Sequence, residues 1–215
     1  VQNTIFIIVL WIIILLLIAL LCKKYFPKSK ELSRKIIHIG TGPIIPIAWW
    51  LGISSEVAIV VASLITVGLI INKRVLIIPE IEDINRISYG TVVYGISITL
   101  LLCLFWADNQ AAVCAGVLVM ALGDGFAGLI GKNIKSSSWV IYKQKKSCLG
   151  TLTMASTTMI VLLGLGLAIN ASIYPLRVFT ITFLAVLLEQ FSIKGIDNFT
   201  VPLAVAISWS WMIGL

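Results

Sequence analysis

The chain has 215 residues, 60% hydrophobic and only 12% charged, with a mean hydropathy of +1.08. Soluble domains average about 25% charged residues and about half apolar ones, so a soluble globule is excluded and an integral membrane protein is expected. The formal charge of +7 then reads as the basic bias of cytoplasmic loops, and no nucleic-acid partner is expected.

Ile5 to Leu21 is an unbroken apolar run followed by Cys22-Lys-Lys. It lacks a small-residue cleavage site and reads as a first span, over about 1–22, rather than a removable signal. Apolar runs place spans near 3–22, 36–53, 56–72, 88–107, 110–131, 150–170, 176–191 and 199–215. The expected fold is an all-α integral membrane bundle of about eight transmembrane helices (seven to nine), one polytopic domain over 1–215. Several runs are short for a hydrocarbon core of about 30 Å, so tilt or local thinning is expected. The cysteines (Cys22, Cys103, Cys114, Cys148) have no CxxC or zinc spacing and read as small packing residues.

Placing the loop after the first span in the cytoplasm puts Lys23, Lys24, Lys28, Lys30, Arg34, Lys35, Lys73, Arg74, Arg86, Lys132, Lys135, Lys143, Lys145, Lys146 and Lys194 inside. Only Arg177 of the 16 basic residues falls outside. Both termini are then outside and the active face is cytoplasmic. Trp49, Trp50, Trp106, Trp209 and Trp211 fall at the outer ends, where an aromatic belt would sit. The outer connections are minimal, at 52–55, 107–109 and 170–175, whereas the inner ones carry the polar groups.

Along that inner face, Ser33-Arg-Lys-Ile-Ile-His-Ile-Gly40 holds the chain's single histidine. On a helix Arg34 and His38 share a face; His38 reads equally as a structural hydrogen-bonder or a site residue. Arg34 and Lys35 fit the orientation rule or a lipid phosphate as readily. Asn72 to Arg86 reads as an interfacial turn, with Glu80, Glu82 and Asp83. Ser88-Tyr-Gly-Thr-Val-Val-Tyr-Gly95 offers glycines for close approach of a helix or a ligand.

"MALGDGFAGLIGK" (120–132) is the most informative stretch. Gly123, Ala127 and Gly131 form a small-residue stripe suited to tight helix packing. That leaves Asp124, an intramembrane carboxylate that is costly and functional by default. Asp124, Gly128 and Lys132 share the adjacent face: a carboxylate, a gap and a cation, as for a metal-bound phosphate. The loop after Lys132 ends in Lys145-Lys-Ser-Cys-Leu-Gly-Thr151, where a helix N-terminus would present free N–H groups to an anion. It is not a Walker motif. In Leu188 to Pro202, Asp197 or Asn198 could cap the final helix, and Glu189 at a helix C-terminus needs a cationic partner. Three carboxylates (Asp124, Glu189, Asp197) with several lysines and His38 suggest Mg²⁺ plus a polyphosphate.

"SRKIIHIGTG", "ALGDGFAGLIGK", "KKSCLGT" and "LLEQFSIKGIDNFTVPLA", in this order, resemble the phytol kinase / dolichol (polyprenol) kinase family over residues 33–205. Members are membrane enzymes that phosphorylate lipid alcohols with CTP or a related nucleotide, distantly similar to CDP-diacylglycerol synthases. The closing motif resembles the phytol kinase branch most. The resemblance implies γ-phosphoryl transfer from CTP, with Mg²⁺, to an isoprenoid alcohol, most readily phytol. Rival readings are a dolichol, polyprenol, farnesol or diacylglycerol kinase, a phosphatidate cytidylyltransferase, or a small transporter with Asp124 as an ion site.

By position, the family's Gly-Asp-Gly falls on Gly123, Asp124 and Gly125, and its Arg-Lys-x-x-His on Arg34, Lys35 and His38. Lys-Ser-x-x-Gly falls on Lys146, Ser147 and Gly150, and the closing motif on Glu189, Asp197 and Asn198. The implied roles are Asp124 as Mg²⁺ ligand, with Asp197 and Glu189 as further ligands or general base. Arg34, Lys35, Gly123, Gly125, Lys132, Lys145, Lys146, Ser147, Gly150, Thr151 and Asn198 would contact nucleotide or phosphate, and His38 a phosphate or hydroxyl. Two departures stand out: Gly128 occupies the place of a frequent second acid, and Gln-Phe-Ser follows Glu189 in place of Ser-Leu-Pro.

Overall fold

The computed structural model describes residues 2–26, 30–77, 89–142 and 144–212. Expectations attached to Lys28, Glu80, Glu82, Asp83, Arg86, Ser88 and Lys143 lie outside them. Helix covers the centre of every expected apolar segment. The helices are α1 (Gln2–Tyr25), α2 (Lys30–Thr41), α3 (Ile44–Trp50), α4 (Ser55–Val75), α5 (Gly90–Phe105), α6 (Gln110–Leu118), α7 (Gly125–Asn133), α8 (Cys148–Ala168), α9 (Pro175–Gln190) and α10 (Asp197–Met212). Four among the described residues are long and apolar enough to cross a membrane: α1 from Phe6, α4, α8, and the continuous helix Gln110–Asn133.

That continuous helix is the centre of the molecule. Its apolar stretch is 61% buried, whereas those of α1 and α4 are 11% buried, so α1 and α4 turn their Leu, Ile and Val side chains outward. Small residues bring its neighbours close. Ala111 to Val117 are buried, and a Cβ on Gly116 would collide with the Pro202 carbonyl of α10. Asn109 starts the helix by accepting the Ala112 N–H at 3.0 Å. Between α6 and α7 the helix widens into a π-turn over Val119–Asp124.

Three features depart from the expected plan. The segment 36–53 is two helices, not one, because Pro43 follows Gly42 and cannot continue the ladder of α2. The basic loop holds a β-hairpin, a two-stranded addition to an otherwise all-α fold. In it β1 (Ser138–Ile141) pairs antiparallel with β2 (Gln144–Ser147), Trp139 facing Lys146. Finally, Trp106 and Trp209 are each 1% exposed and belong to the core rather than to an aromatic belt. Trp106 donates from Nε1 to the Ile53 carbonyl at 2.9 Å, which lets the indole be buried. Trp50 and Trp211 are exposed.

Replacing Gly116 by leucine should force α10 away from α6 and destabilise the fold by about 1–3 kcal/mol, the usual cost of overpacking a close-packed core. Thermal unfolding of the purified protein in detergent measures this.

Candidate active site

At one end of the bundle the starts of α2, α5, α8 and α10, the ends of α7 and α9, and the hairpin enclose a polar cleft of about 770 Å³. Six cationic side chains line it (Arg34, Lys35, Lys132, Lys145, Lys146, Lys194) against three carboxylates (Asp124, Glu189, Asp197). This gathers every residue singled out from the sequence except Gly123, Gly125 and His38.

Asp124 sits at the end of the π-turn, where widened helices commonly occur at functional sites. Lys35 of α2 reaches it from a position 5% exposed, with Nζ 2.6 Å from Oδ2 and 3.1 Å from the Asp124 carbonyl. Gly128 makes room for that reach: a Cβ there would lie 2.9 Å from Lys35 Cε and 3.0 Å from Nζ. One turn along α2, His38 Nε2 lies 3.3 Å from the Met120 carbonyl of the π-turn and 3.4 Å from Asp124 Oδ2. Its ring packs against Tyr94, centroids 4.6 Å apart. The expected stripe faces the other way, onto α8. Gly123 meets Met154, Gly131 meets Ser147 and Gly150, and Gly150 approaches the Ala127 carbonyl. Gly125 instead abuts Ile39 of α2.

The second acid, Glu189, ends α9 beside Lys146, whose Nζ donates to the Glu189 carboxylate and, at 2.7 Å, to its carbonyl. This is the cationic partner that its position required. Gln190 holds the pair in place. It donates to Glu189 Oε2 at 2.9 Å and to Thr151 Oγ1 at 2.9 Å, and accepts from Trp139 Nε1 at 3.2 Å. Strand alternation turns Lys146 inward and leaves Lys145 more exposed.

Asp197 differs from both. It heads α10, ahead of the apolar stretch that begins at Phe199. Its backbone N–H is taken by Ser192 Oγ at 2.8 Å, and its Oδ1 accepts the Asn198 N–H at 3.2 Å. Enclosure in the cleft, and then the negative charge of Asp124, push its carboxyl up to about 6.

One expectation is corrected. The N–H groups at the start of α8 are not free: Cys148 donates to the Ser137 carbonyl, Leu149 to Ser136 Oγ and Gly150 to Ser147 Oγ. The residues before the hairpin cap the helix, so anion attraction there rests on the dipole and the lysines. Among the described residues no three His, Cys, Asp or Glu side chains form a metal cage, so the three carboxylates do not make one by themselves.

A second cavity, about 490 Å³ and almost wholly apolar, lies among α1, α2, α3, α4 and α5. Arg34 and Asn198 line both cavities, and the His38–Asp124 contact separates them, His38 lining the apolar one and Asp124 the polar one. Sequence reading missed Thr41 and Tyr94 at this boundary (Thr41 Oγ1 to Tyr94 Oη, 3.4 Å), and Gln190 in the cleft. A polar residue beside Glu189 was the available signal for Gln190; Thr41 and Tyr94 carry none in one dimension.

The chain is 38% identical over 185 residues to a phytol kinase of Synechocystis sp., an overlap covering 84% of this chain and 79% of that protein. The chain belongs to the phytol kinase family. It is also 28% identical over 199 residues to a probable phytol kinase 1, chloroplastic, of Glycine max, covering 82% of this chain and 65% of the relative. To a farnesol kinase, chloroplastic, of Arabidopsis thaliana it is 24% identical over 202 residues, covering 84% and 65%. The chain thus spans just under two thirds of these plant relatives' lengths. No family model matches the chain and no solved structure gives a significant match.

In this member of the phytol kinase family, the Lys35 ammonium passes over Gly128, where a side chain would meet it. Lys35→Met should leave Asp124 buried without its cation and cost about 3–5 kcal/mol. The Lys35→Met/Asp124→Asn double variant should lose less than the sum of the single changes. Thermal unfolding of the three variants gives the coupling.

Proposed function

We propose that the protein is a membrane kinase that transfers the γ-phosphoryl group of CTP to the primary hydroxyl of an isoprenoid alcohol, phytol foremost. The observation that carries this reading is the meeting of a cation-rich cleft and an apolar cavity at the His38–Asp124 contact, with Arg34 and Asn198 lining both. Phosphates and a prenyl chain need those two environments side by side.

Phosphoryl transfer is mostly positioning and charge stabilisation. The alcohol oxygen bonds to the γ-phosphorus, the bond from that phosphorus to the bridging oxygen breaks, and the electron pair leaves on CDP. Lys132, Lys145 and Lys146 draw the phosphates into the cleft and offset the charge. Glu189 positions Lys146, and Lys35 holds the Asp124 carboxylate toward the site. Asp197, with its raised pKa, accepts the hydroxyl proton; a base is most effective when its pKa approaches the working pH. Mg²⁺ commonly binds through one or two carboxylates together with substrate phosphates. The cleft suits an ion brought with the nucleotide, held by Asp124 and neutralising phosphate charge. Glu189 is thereby a positioning residue rather than the ligand its sequence position suggested.

We further propose that the eight apolar segments all cross the bilayer, with both termini outside and the cleft cytoplasmic. Basic residues gather at the cleft end, and Arg177 lies at the start of α9, away from it. Cys148, exposed at the start of α8, should react with a membrane-impermeant maleimide only from the cytoplasmic face in vesicles of defined orientation.

Purified protein with Mg²⁺ and phytol should yield phytyl monophosphate and CDP, with CTP preferred over ATP, GTP or UTP. Release of pyrophosphate would instead identify a cytidylyltransferase. Asp124→Asn, folded and inserted, should lower turnover at least about a hundredfold, as expected when a preorganised charge is removed from a transition state. Retained activity would remove Asp124 from the site.

A further inference from the structure

The residues that line the apolar cavity span α4 from Val57 to Leu69 and α5 from Thr91 to Leu102, so depth in it can be read along these helices. α4 runs away from its far end while α5 runs toward it, and their antiparallel pairing is fixed at two levels. Thr66 and Thr99 hydroxyls meet at 3.0 Å, and Trp106 Nε1 reaches the Ile53 carbonyl at 2.9 Å. From the cleft outward the lining therefore passes Arg34, Thr91 and Asn198, then His38 and Tyr94. It continues past Ile45, Ala62 and Ile98, then Ala48, Ala58 and Leu102, and closes at Ile53 and the buried Trp106. The cleft end is polar, where Arg34 and Asn198 also line the cleft, and the far end is apolar.

Asn198 stands at the polar end, 5% exposed. Its Nδ2 donates to the Gly90 carbonyl at 2.8 Å, which fixes the amide's orientation. Among the described residues its buried Oδ1 has no hydrogen-bond partner, and such a group is costly unless a ligand completes it. The missing partner must be a donor. Phosphate oxygens accept, so an ionised nucleotide phosphate cannot supply it; an alcohol O–H can.

We infer that this cavity holds the acceptor alcohol, its hydroxyl donating to Asn198 Oδ1 on binding and turning the same proton to Asp197 for transfer, and its hydrocarbon chain extending toward Trp106. Asn198 thereby moves from the nucleotide side, where its place in the motif put it, to the alcohol side. The inference rests on the kinase reading for the identity of the alcohol, and it makes the distance from Asn198 to Trp106 a ruler for chain length. Ala58 and Ala62, one turn apart on the same face of α4, are two marks on that ruler.

The test compares kcat/KM for geraniol, farnesol, geranylgeraniol and phytol. Ala58→Phe, the deeper obstruction, should lower the value for geranylgeraniol and phytol relative to farnesol by about tenfold or more, as expected for groups that no longer fit. Ala62→Phe should extend the loss to farnesol and spare geraniol. Asn198→Ala should raise KM for every alcohol and leave KM for the nucleotide unchanged. An unaltered chain-length ranking in both phenylalanine variants, or a nucleotide KM that rises with Asn198→Ala, overturns the inference while leaving the kinase reading in place.

Wild-type protein provides a measurement independent of activity and of variant folding. A diazirine-bearing geranylgeraniol, photolysed without nucleotide, should label residues between Ile45 and Ala62 and between Ile98 and Trp106. Excess phytol should suppress the labelling. Label that phytol does not displace, or that falls on the outward faces of α1 and α9, means that bilayer chains fill the cavity, and overturns the inference. If no alcohol is phosphorylated at all, the kinase reading fails, and phytol-sensitive labelling still upholds the cavity as a prenyl-alcohol site.

Discussion

The contact between Lys35 and Asp124 decides how the cleft end of this molecule is built. Either charge alone would be expensive at such depth. Together, with Nζ also on the Asp124 carbonyl, they clamp α2 against the central helix. The clamp dictates its surroundings. Gly128 must lack a side chain so that the lysine can cross it. His38, one turn along α2, is thereby brought to the Met120 carbonyl and to the same carboxylate. The π-turn presents that carbonyl and that carboxylate together.

Because α2 is held at this point, it can separate two unlike spaces. One face of α2 carries Arg34, His38 and Thr41 toward the apolar cavity, while Lys35 projects to the polar cleft. The break before Pro43 then lets α3 continue at its own angle as a wall of the apolar cavity, contributing Ile44, Ile45 and Ala48. A straight helix over 36–53 would carry one face along its whole length. The bundle is thus organised around a boundary rather than around a single pocket.

The helical segments were legible because a bilayer admits few alternatives: backbone groups in hydrocarbon must be satisfied within the segment, so apolar length alone marks a span. The candidate residues were legible for the converse reason, since polar groups such as Asp124 stand out against an apolar run. What could not be read was how those groups pair. Gly128 looked like a missing acid, whereas the lysine that fills its place comes from a helix distant in sequence. The start of α8 looked like an open anion site, because its caps, Ser136 and Ser137, approach only once the hairpin has folded back. The hairpin itself is a pair of four-residue strands rich in lysine, with little apolar periodicity to betray it. The burial of Trp106 follows its indole hydrogen bond and that of Trp209 its packing, which no position along the chain discloses.

The pairing of acids with lysines also bears on how the cleft would receive a polyphosphate on the proposed reading. Lys35 and Lys146 each rest against a carboxylate before any ligand arrives. Long side chains lose rotamer freedom when they bind, and that loss weakens association. Holding the ammonium groups in advance, with Gln190 and Trp139 bracing the second pair, moves that cost into the folding of the protein. Asp197, whose carboxylate accepts the N–H of Asn198 and whose pKa is raised, is on the proposed reading the acid that responds to the reaction. Its neighbour Asn198 lines both cavities. On the proposed reading, adjacent residues at the head of one helix would place proton acceptance and hydroxyl anchoring next to each other on a rigid element.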